Sequence, residues 1–140
     1  MITHSSELAG EVAVVTGAAQ GIGAAIARAF AAHGARVALA DIQFAKAQTV
    51  AADIGASGGQ AQAFEVDISQ PASLQAARQS IRAAWGPVSV LVNNAAVIPF
   101  QDFLTITWRD WDRAIHNNLS GTFYCSRIFL DDMLELGRDG

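Results

Sequence analysis

VAVVTGAAQGIG, residues 12–23, decides the fold. Residues 12–15 are an apolar run ended by Thr16, a glycine-rich turn follows from Gly17 to Gly23, and an alanine-rich helical pattern begins at once. Strand, glycine turn and helix in that order are the setting in which backbone N–H groups at a helix N-terminus meet a pyrophosphate. Gly17 permits the sharp exit from the strand, Gly21 lets the backbone approach a phosphate, and Gly23 lets the helix lie close on the sheet. The spacing, TGxxxGxG, is one residue longer between its first two glycines than GxGxxG. A turn without a ligand is the plainer alternative, and the segments further out must decide.

Ile22, Ala25, Ile26, Ala29, Phe30 and His33 fall at helical spacing up to Gly34, the expected C-cap glycine. Residues 36–41 read as a second apolar strand closed by an acid, and Ala47, Val50, Ala51 and Ile54 mark one face of a second helix stopped by Gly55. A turn over 56–59 leads to a third strand carrying Ala61, Ala63, Phe64 and Val66 and ending in Asp67. Pro71 suits the first turn of a third helix, with Leu74, Ala77, Ile81, Ala84 and Trp85 inward and Gly86-Pro87 as its stop. Residues 88–92 are a fourth strand running into Asn93-Asn94-Ala95-Ala96. Thr107 is a plausible N-cap, and Trp108, Trp111, Ile115, Leu119, Thr122, Phe123, Phe129, Leu130 and Met133 sustain one long helical pattern to Gly137. Residues 1–9 read as a loose lead-in, with Gly10 and Glu11 opening the first strand.

The order is therefore β-α-β-α-β-α-β-α, and the strands are mostly continuous apolar runs. That predicts a parallel sheet covered on both faces. Right-handed crossovers make it a doubly wound α/β sheet, a Rossmann fold, with strands 1–4 in the order 3-2-1-4. No internal repeat or interdomain linker breaks the chain.

Composition narrows the function. The hydrophobic share is 51% and the charged share 16%, so 140 residues suffice for one real core. The net charge is -4, and eight arginines and one lysine are scattered without a basic stripe, which argues against nucleic acid. Cys125 is the only cysteine, which excludes an internal disulfide and a cysteine zinc site, and His4, His33 and His116 lack metal-ligand spacing, so no metal is expected. The N-terminus lacks a signal-peptide core, and no run approaches the ~20 apolar residues of a membrane span. The expectation is a cytoplasmic protein with no membrane partner.

Asp41 stands 18 residues after Gly23 at the end of strand two, where an acid can take both hydrogens of a ribose diol. A carboxylate there repels a 2′-phosphate, and no Arg or Lys stands at 18–20 or at 42–43, so NAD is expected over NADP. A turn-capping aspartate is the plainer reading. Asp67 has two equal readings, an adenine contact or a cap on the loop into the next helix. Asn93 and Asn94 end strand four on the same edge, so four strand ends converge on one crevice. Asn118 shares a helical face with Trp111, Ile115 and Thr122, where a buried amide needs partners. A structural bond to nearby backbone is its plainer role.

Residues 16–23 (TGAAQGIG), Asp41, Asp67-Ile68, Asn93-Asn94-Ala95-Ala96 and Asn118-Leu119-Ser120-Gly121 together resemble the short-chain dehydrogenase/reductase family, through nearly the whole chain. The resemblance implies that Gly17, Gln20, Gly21, Ile22 and Gly23 hold the pyrophosphate side. It implies Asp41 on the adenosine ribose, Asp67 and Ile68 on the adenine, and Asn94 on the cofactor's middle. Asn118 would match the family's helix asparagine, which holds a water in the proton relay. Ala96 stands where the family has glycine, and Asn117 where an apolar residue is common.

The family's chemistry needs a tyrosine with a lysine four residues on, and a serine on the substrate oxygen. The lysine's charge lowers the tyrosine pKa. Here the only tyrosine, Tyr124, is followed four residues on by Ile128, and the only lysine is Lys46. Tyr124 is expected to lie along the long helix. The chain therefore reads as the N-terminal, dinucleotide-binding part of one such domain (residues 1–140) with the C-terminal half absent, inactive alone and with strand four as an exposed edge.

The leading reading is an NAD-dependent oxidoreductase acting on the CH–OH/C=O group of a small alcohol or ketone. In its complete form it would be a homodimer or homotetramer. The loop Val97-Ile98-Pro99-Phe100 resembles those of members that act on small cyclic or aromatic alcohols. The alternatives are a non-catalytic nucleotide-binding module, an NADP-using 3-oxoacyl carrier-protein reductase fragment, and a methyltransferase on the same sheet topology.

Overall fold

The computed structural model describes residues 6–137. Four parallel strands, β1 (Val12–Thr16), β2 (Arg36–Asp41), β3 (Gln60–Glu65) and β4 (Val90–Val92), lie in the order β3-β2-β1-β4. Helices α1 (Gly21–Ala32), α2 (Phe44–Ala56) and α3 (Pro71–Trp85) make the crossovers. After β4 come α4 (Trp108–Ile115), a π-helical turn (His116–Gly121) and α5 (Thr122–Leu136). This is the doubly wound sheet the sequence predicts.

Alternation along β1 and β2 feeds two cores. Ala13, Val15, Val37 and Leu39 face the α1–α2 layer, with Ala24, Ala27, Ala31, Ala47, Val50 and Ile54. Val12, Val14, Ala38 and Ala40 face the α3–α5 layer, with Leu74, Ala77, Ile81, Cys125 and Phe129. Covering both faces is what makes every residue of β1 buried. Cys125 is a free thiol inside the second layer, and burial pushes its pKa up to about 11, so it stays protonated and inert.

Several elements differ from the sequence expectation. Residues 1–5 of the expected lead-in lie outside the described residues. Residues 6–9 are a turn tied to the fold, since the Leu8 N–H donates to the His33 carbonyl at 3.1 Å and Leu8 lies against the α1–α2 core. β1 starts at Val12, because Gly10 has φ +85°. The buried stripe of α1 is Gly23, Ala24, Ala27 and Ala31; Ile22, Ala25 and Ala29 face out. In this almost wholly apolar helix the buried stripe is made of the residues small enough for close approach to the sheet. α2 runs through Gly55 and ends before Gly58, which supplies the positive φ of +86°. β4 shortens to three residues because the N–H of Val88 donates to Asp132 instead, while Ser89 bonds Val12 through both its N–H and its hydroxyl.

The largest difference lies after residue 107. Thr107 caps α4 as expected, its hydroxyl accepting from the Asp110 N–H at 3.1 Å and donating to the Asp110 carboxylate at 2.6 Å. That hydroxyl bond holds the Asp110 carboxyl below its ordinary pKa. The π turn then widens the helix and rotates α5 relative to α4, so that Gly121, Cys125, Phe129 and Asp132 face inward. Trp108, Trp111, Leu119 and Phe123, part of the long helical pattern read from the sequence, are 87%, 55%, 66% and 64% exposed. Tyr124 lies along the helix as expected, edge-on to His116 and Phe123.

Asp132 is the centre of a polar lock. Fully buried, it accepts from Arg78 Nε at 2.6 Å, Arg82 at 2.8 Å and the Val88 N–H at 3.0 Å, which ties α3, α5 and the approach to β4 together. Burial pushes its carboxyl up, but the Val88 N–H and the two guanidiniums outweigh that and hold it below the usual range.

Candidate functional site

A crevice of about 640 Å³ opens where the carboxyl ends of the four strands meet. Gly17, Gln20, Gly21 and Ile22 form one rim, Asp41 and Gln43 a second, Asp67 to Ser69 a third, and Asn94 to Val97 a fourth. This is the place where open α/β sheets bind ligands.

The glycine turn owes its shape to close approach. Gly17 has φ +67°, and a Cβ there would stand 2.9 Å from Ala95 Cα. A Cβ on Gly23 would meet the Gly17 carbonyl oxygen at 2.2 Å and Asn94 Nδ2 at 2.6 Å, so the start of α1 sits directly on the turn rather than only on the sheet. Gly21, at φ +57°, has nothing within 4 Å of its notional Cβ. Its backbone is therefore bare towards the crevice. No side chain caps α1, so its first-turn N–H groups keep their donor capacity for whatever enters.

Thr16 staples this turn to β4. Its buried hydroxyl donates to the Val92 carbonyl at 3.2 Å and accepts the N–H groups of Asn94 and Ala95, both at 3.0 Å. Asn94 Nδ2 returns the bond to the carbonyls of Thr16 at 3.0 Å and Gly17 at 3.2 Å. Ala96 needs no glycine, because no non-glycine residue among those described has a positive φ.

Asp41 is 8% exposed; its Oδ2 accepts from the Ala19 N–H at 2.9 Å and its Oδ1 from the Gln43 N–H at 2.8 Å. It thus ties the glycine turn to the end of β2, and each oxygen still has a lone pair for a ligand. Asp67 takes the capping geometry: Oδ1 accepts from both the N–H (2.9 Å) and the hydroxyl (2.6 Å) of Ser69, while its own N–H donates to Ser73 Oγ at 3.1 Å. Its Oδ2 takes no part in those bonds.

Of the residues singled out from sequence, Gly17, Gln20, Gly21, Ile22, Asp41, Asp67, Ile68 and Asn94 line the crevice, and Gly23 lies beneath the turn. Asn118 does not line it. The expected buried amide in an apolar stripe is corrected: Asn118 is exposed, and its side chain clamps one residue, accepting from the Val97 N–H and donating to the Val97 carbonyl, each at 2.8 Å. The π turn moves it off the α4 stripe. Gly121 closes the same turn against Ile68, whose Cδ1 a Cβ would meet at 2.9 Å.

Arg113 and Asn117 also line the crevice, and sequence reasoning missed them. Asn117 Nδ2 donates to the Arg113 carbonyl at 2.9 Å, which leaves its Oδ1 as the outward polar atom. Their spacing of four residues was the available signal, since it puts both on one helical face beside Asn118.

The family model described as short chain dehydrogenase matches residues 11–140. The chain belongs to this family, whose members are oxidoreductases. It is 42% identical over 130 residues to a D-threitol dehydrogenase from Mycolicibacterium smegmatis, covering 93% of this chain and 50% of that protein. It is 38% identical over 133 residues to a sorbitol dehydrogenase from Cereibacter sphaeroides, covering 95% and 51%. A crystal structure of a metagenomic short-chain oxidoreductase in complex with NADP superposes with a TM-score of 0.87 at 40% identity, over 96% of this chain and 61% of that one. The chain spans about half the length of the curated relatives it matches. Among the described residues no helix is long and apolar enough to cross a membrane.

Proposed function

We propose that the crevice holds a nicotinamide dinucleotide and that the protein is a dehydrogenase of polyols, oxidising a secondary CH–OH to a ketone. The observation that carries this reading is the bare backbone of Gly21 at the uncapped N-terminus of α1, facing Asp41 across the same crevice. The first offers N–H groups and a helix dipole to a pyrophosphate. The second offers carboxylate lone pairs to a ribose diol. A bound cofactor would supply the hydride acceptor.

The chain's own residues then have distinct tasks. Gly17 and Gly23, with Thr16 and Asn94 bracing them, keep the turn in the one shape that exposes its N–H groups. Asp67 presents Oδ2, and Ile68 its backbone, to an adenine. Asn118, by clamping Val97, fixes the fourth rim, and its helix position is the one the family uses to hold a relay water. NAD is the preferred cofactor in this reading, because Asp41 brings a negative charge to the ribose. An acyclic polyol replaces the ring-bearing alcohol suggested by the 97–100 loop, since the relatives include threitol and sorbitol dehydrogenases. In this reading it works in the cytoplasm, in keeping with the reduced Cys125, and as a homo-oligomer.

The test is to express the protein from its complete coding region and measure NADH formation with threitol, sorbitol and a cyclic alcohol. Polyol-dependent NADH formation, lost on Asp41→Ala through a raised KM for NAD, is expected. NADH binding without turnover of any alcohol would favour the non-catalytic module.

A further inference from the structure

Two acceptor oxygens at one end of the crevice make no hydrogen bond among the described residues, and they stand on different elements. One is Asp67 Oδ2, on the third rim. The other is Asn117 Oδ1, in the π turn. Gly121 closes that turn on Ile68, whose carbonyl oxygen a Cβ there would meet at 3.2 Å. Asn117 lies one turn before Gly121 on the same side, so it reaches the crevice beside Asp67 and Ile68, where it is half-buried.

The local bonds decide which atoms face a ligand. Asn117 Nδ2 donates to the Arg113 carbonyl at 2.9 Å, one turn back, which turns the amide so that its oxygen points out. Asp67 Oδ1 takes the N–H and the hydroxyl of Ser69, at 2.9 and 2.6 Å, so those donors are spent and Oδ2 is left over. Val66 and Ile68, 2% and 7% exposed, line the crevice with them and offer a flat ring an apolar surface. A base lying there presents its edge to two acceptors. An exocyclic amino group brings two N–H donors to that edge. A ring carbonyl in its place sets lone pairs against a carboxylate and an amide oxygen, and these are desolvated without a bond.

We propose that Asn117 is a specificity-determining residue of the crevice: its Oδ1 accepts from the 6-amino group of the adenine, alongside Asp67 Oδ2, and so selects an adenine dinucleotide over its 6-oxo, hypoxanthine counterpart. This rests on the dinucleotide reading and extends it, since that reading gives the base only Asp67 and Ile68.

The test uses protein expressed from the complete coding region and follows binding by the fluorescence of the reduced nicotinamide. NADH is compared with its hypoxanthine analogue, in which oxygen replaces the 6-amino group, on wild type and on Asn117→Val. Wild type is expected to bind NADH roughly tenfold tighter than the analogue, as for two hydrogen bonds made only to the amino group. Asn117→Val should weaken NADH roughly fivefold while leaving the analogue within about twofold, as for loss of one of them. Wild type that binds both dinucleotides equally overturns the proposal whatever the variant does. So does a variant that weakens both equally, which is the signature of a merely structural amide, or one that leaves NADH unchanged. In each of these cases NADH still binds wild type and the dinucleotide reading stands. Failure of wild type to bind NADH overturns that reading and this proposal with it.

Discussion

The two layers that cover the sheet are built on opposite principles. On the α1–α2 side the core is mostly alanine, with the Asp41 bonds at its crevice end. Small side chains bring α1 close enough to the strands for its N-terminus to rest on the glycine turn. On the α3–α5 side the core is large, with Phe64, Leu74, Ile81 and Phe129, and it closes around a fully buried carboxylate. One layer is short of volume and sets the position of the crevice; the other fills volume and is pinned by a charge. The two should therefore fail to opposite substitutions.

The most damaging change is expected in the pinned layer. Asp132→Ala leaves Arg78 and Arg82 without their shared acceptor and the Val88 N–H buried and unbonded. Breaking a buried pair from one side costs on the order of 3–5 kcal/mol; the partial exposure of both arginines puts this case at about 3. A fall in the urea midpoint with unchanged slope would confirm it. The sign of the pH dependence comes from the lowered carboxyl pKa. Stability from this group is fully present above the unfolded value near 4 and is lost as pH falls through the lower folded value. Asp132→Asn should show a smaller acid-induced loss than wild type below about pH 4.

The direct comparison pairs Leu74→Ala with Ala27→Leu, both at positions without solvent exposure. Shrinking Leu74 opens a cavity and should cost about 3 kcal/mol. Enlarging Ala27 forces α1 away from β1 and should cost about 2 kcal/mol. Because α1 carries the glycine turn, Ala27→Leu should also weaken NADH binding at temperatures where it remains folded, whereas Leu74→Ala should not. Equal effects of the two on cofactor affinity would break the distinction between the layers.

These contrasts explain what the sequence reveals and what it conceals. The glycine turn, Asp41, the Pro71 helix start and the Thr107 cap are legible because each answers a local backbone demand: a positive φ, an orphan N–H, a fixed φ at N1. The strand order is legible from continuous apolar runs joined by helices. The buried face of α1 is not, since alanines at 24, 27 and 31 look no more interior than those at 25 and 29. Asp132 is concealed for the opposite reason. An acid between Asp131 and Met133 reads as solvent-facing, and the Val88 N–H and the arginines of α3, some fifty residues earlier, are what make its burial possible. In the site, the true partner of Asn118 depends on a π turn, whose wider spacing defeats a pattern counted at 3.6.

Thr16 offers a smaller test at the junction of the layers. Thr16→Val keeps the shape but removes the hydroxyl that donates to Val92 and accepts from Asn94 and Ala95. The loss should be about 1–2 kcal/mol, with a matching rise in the NADH dissociation constant, because the Asn94 brace on Gly17 shifts with it. A stability loss without any change in NADH affinity would separate the staple from the crevice.

The smallest effect belongs to the surface that neither layer claims. Leu119 sits in the π turn at 66% exposure, and its neighbours Trp111 and Phe123 are exposed as well. If the π turn sets the inward face at Gly121, Cys125 and Phe129, then Leu119→Lys changes no core contact. Its stability should stay within about 0.5 kcal/mol of wild type, as for other surface substitutions. The same substitution in a regular helix of the phase read from sequence would bury an unpaired ammonium, at a cost of several kcal/mol. Thermal unfolding of the Leu119→Lys protein thus distinguishes the two helix phases directly: an unchanged midpoint requires the π turn, and a large fall would return Leu119 to the interior and overturn it.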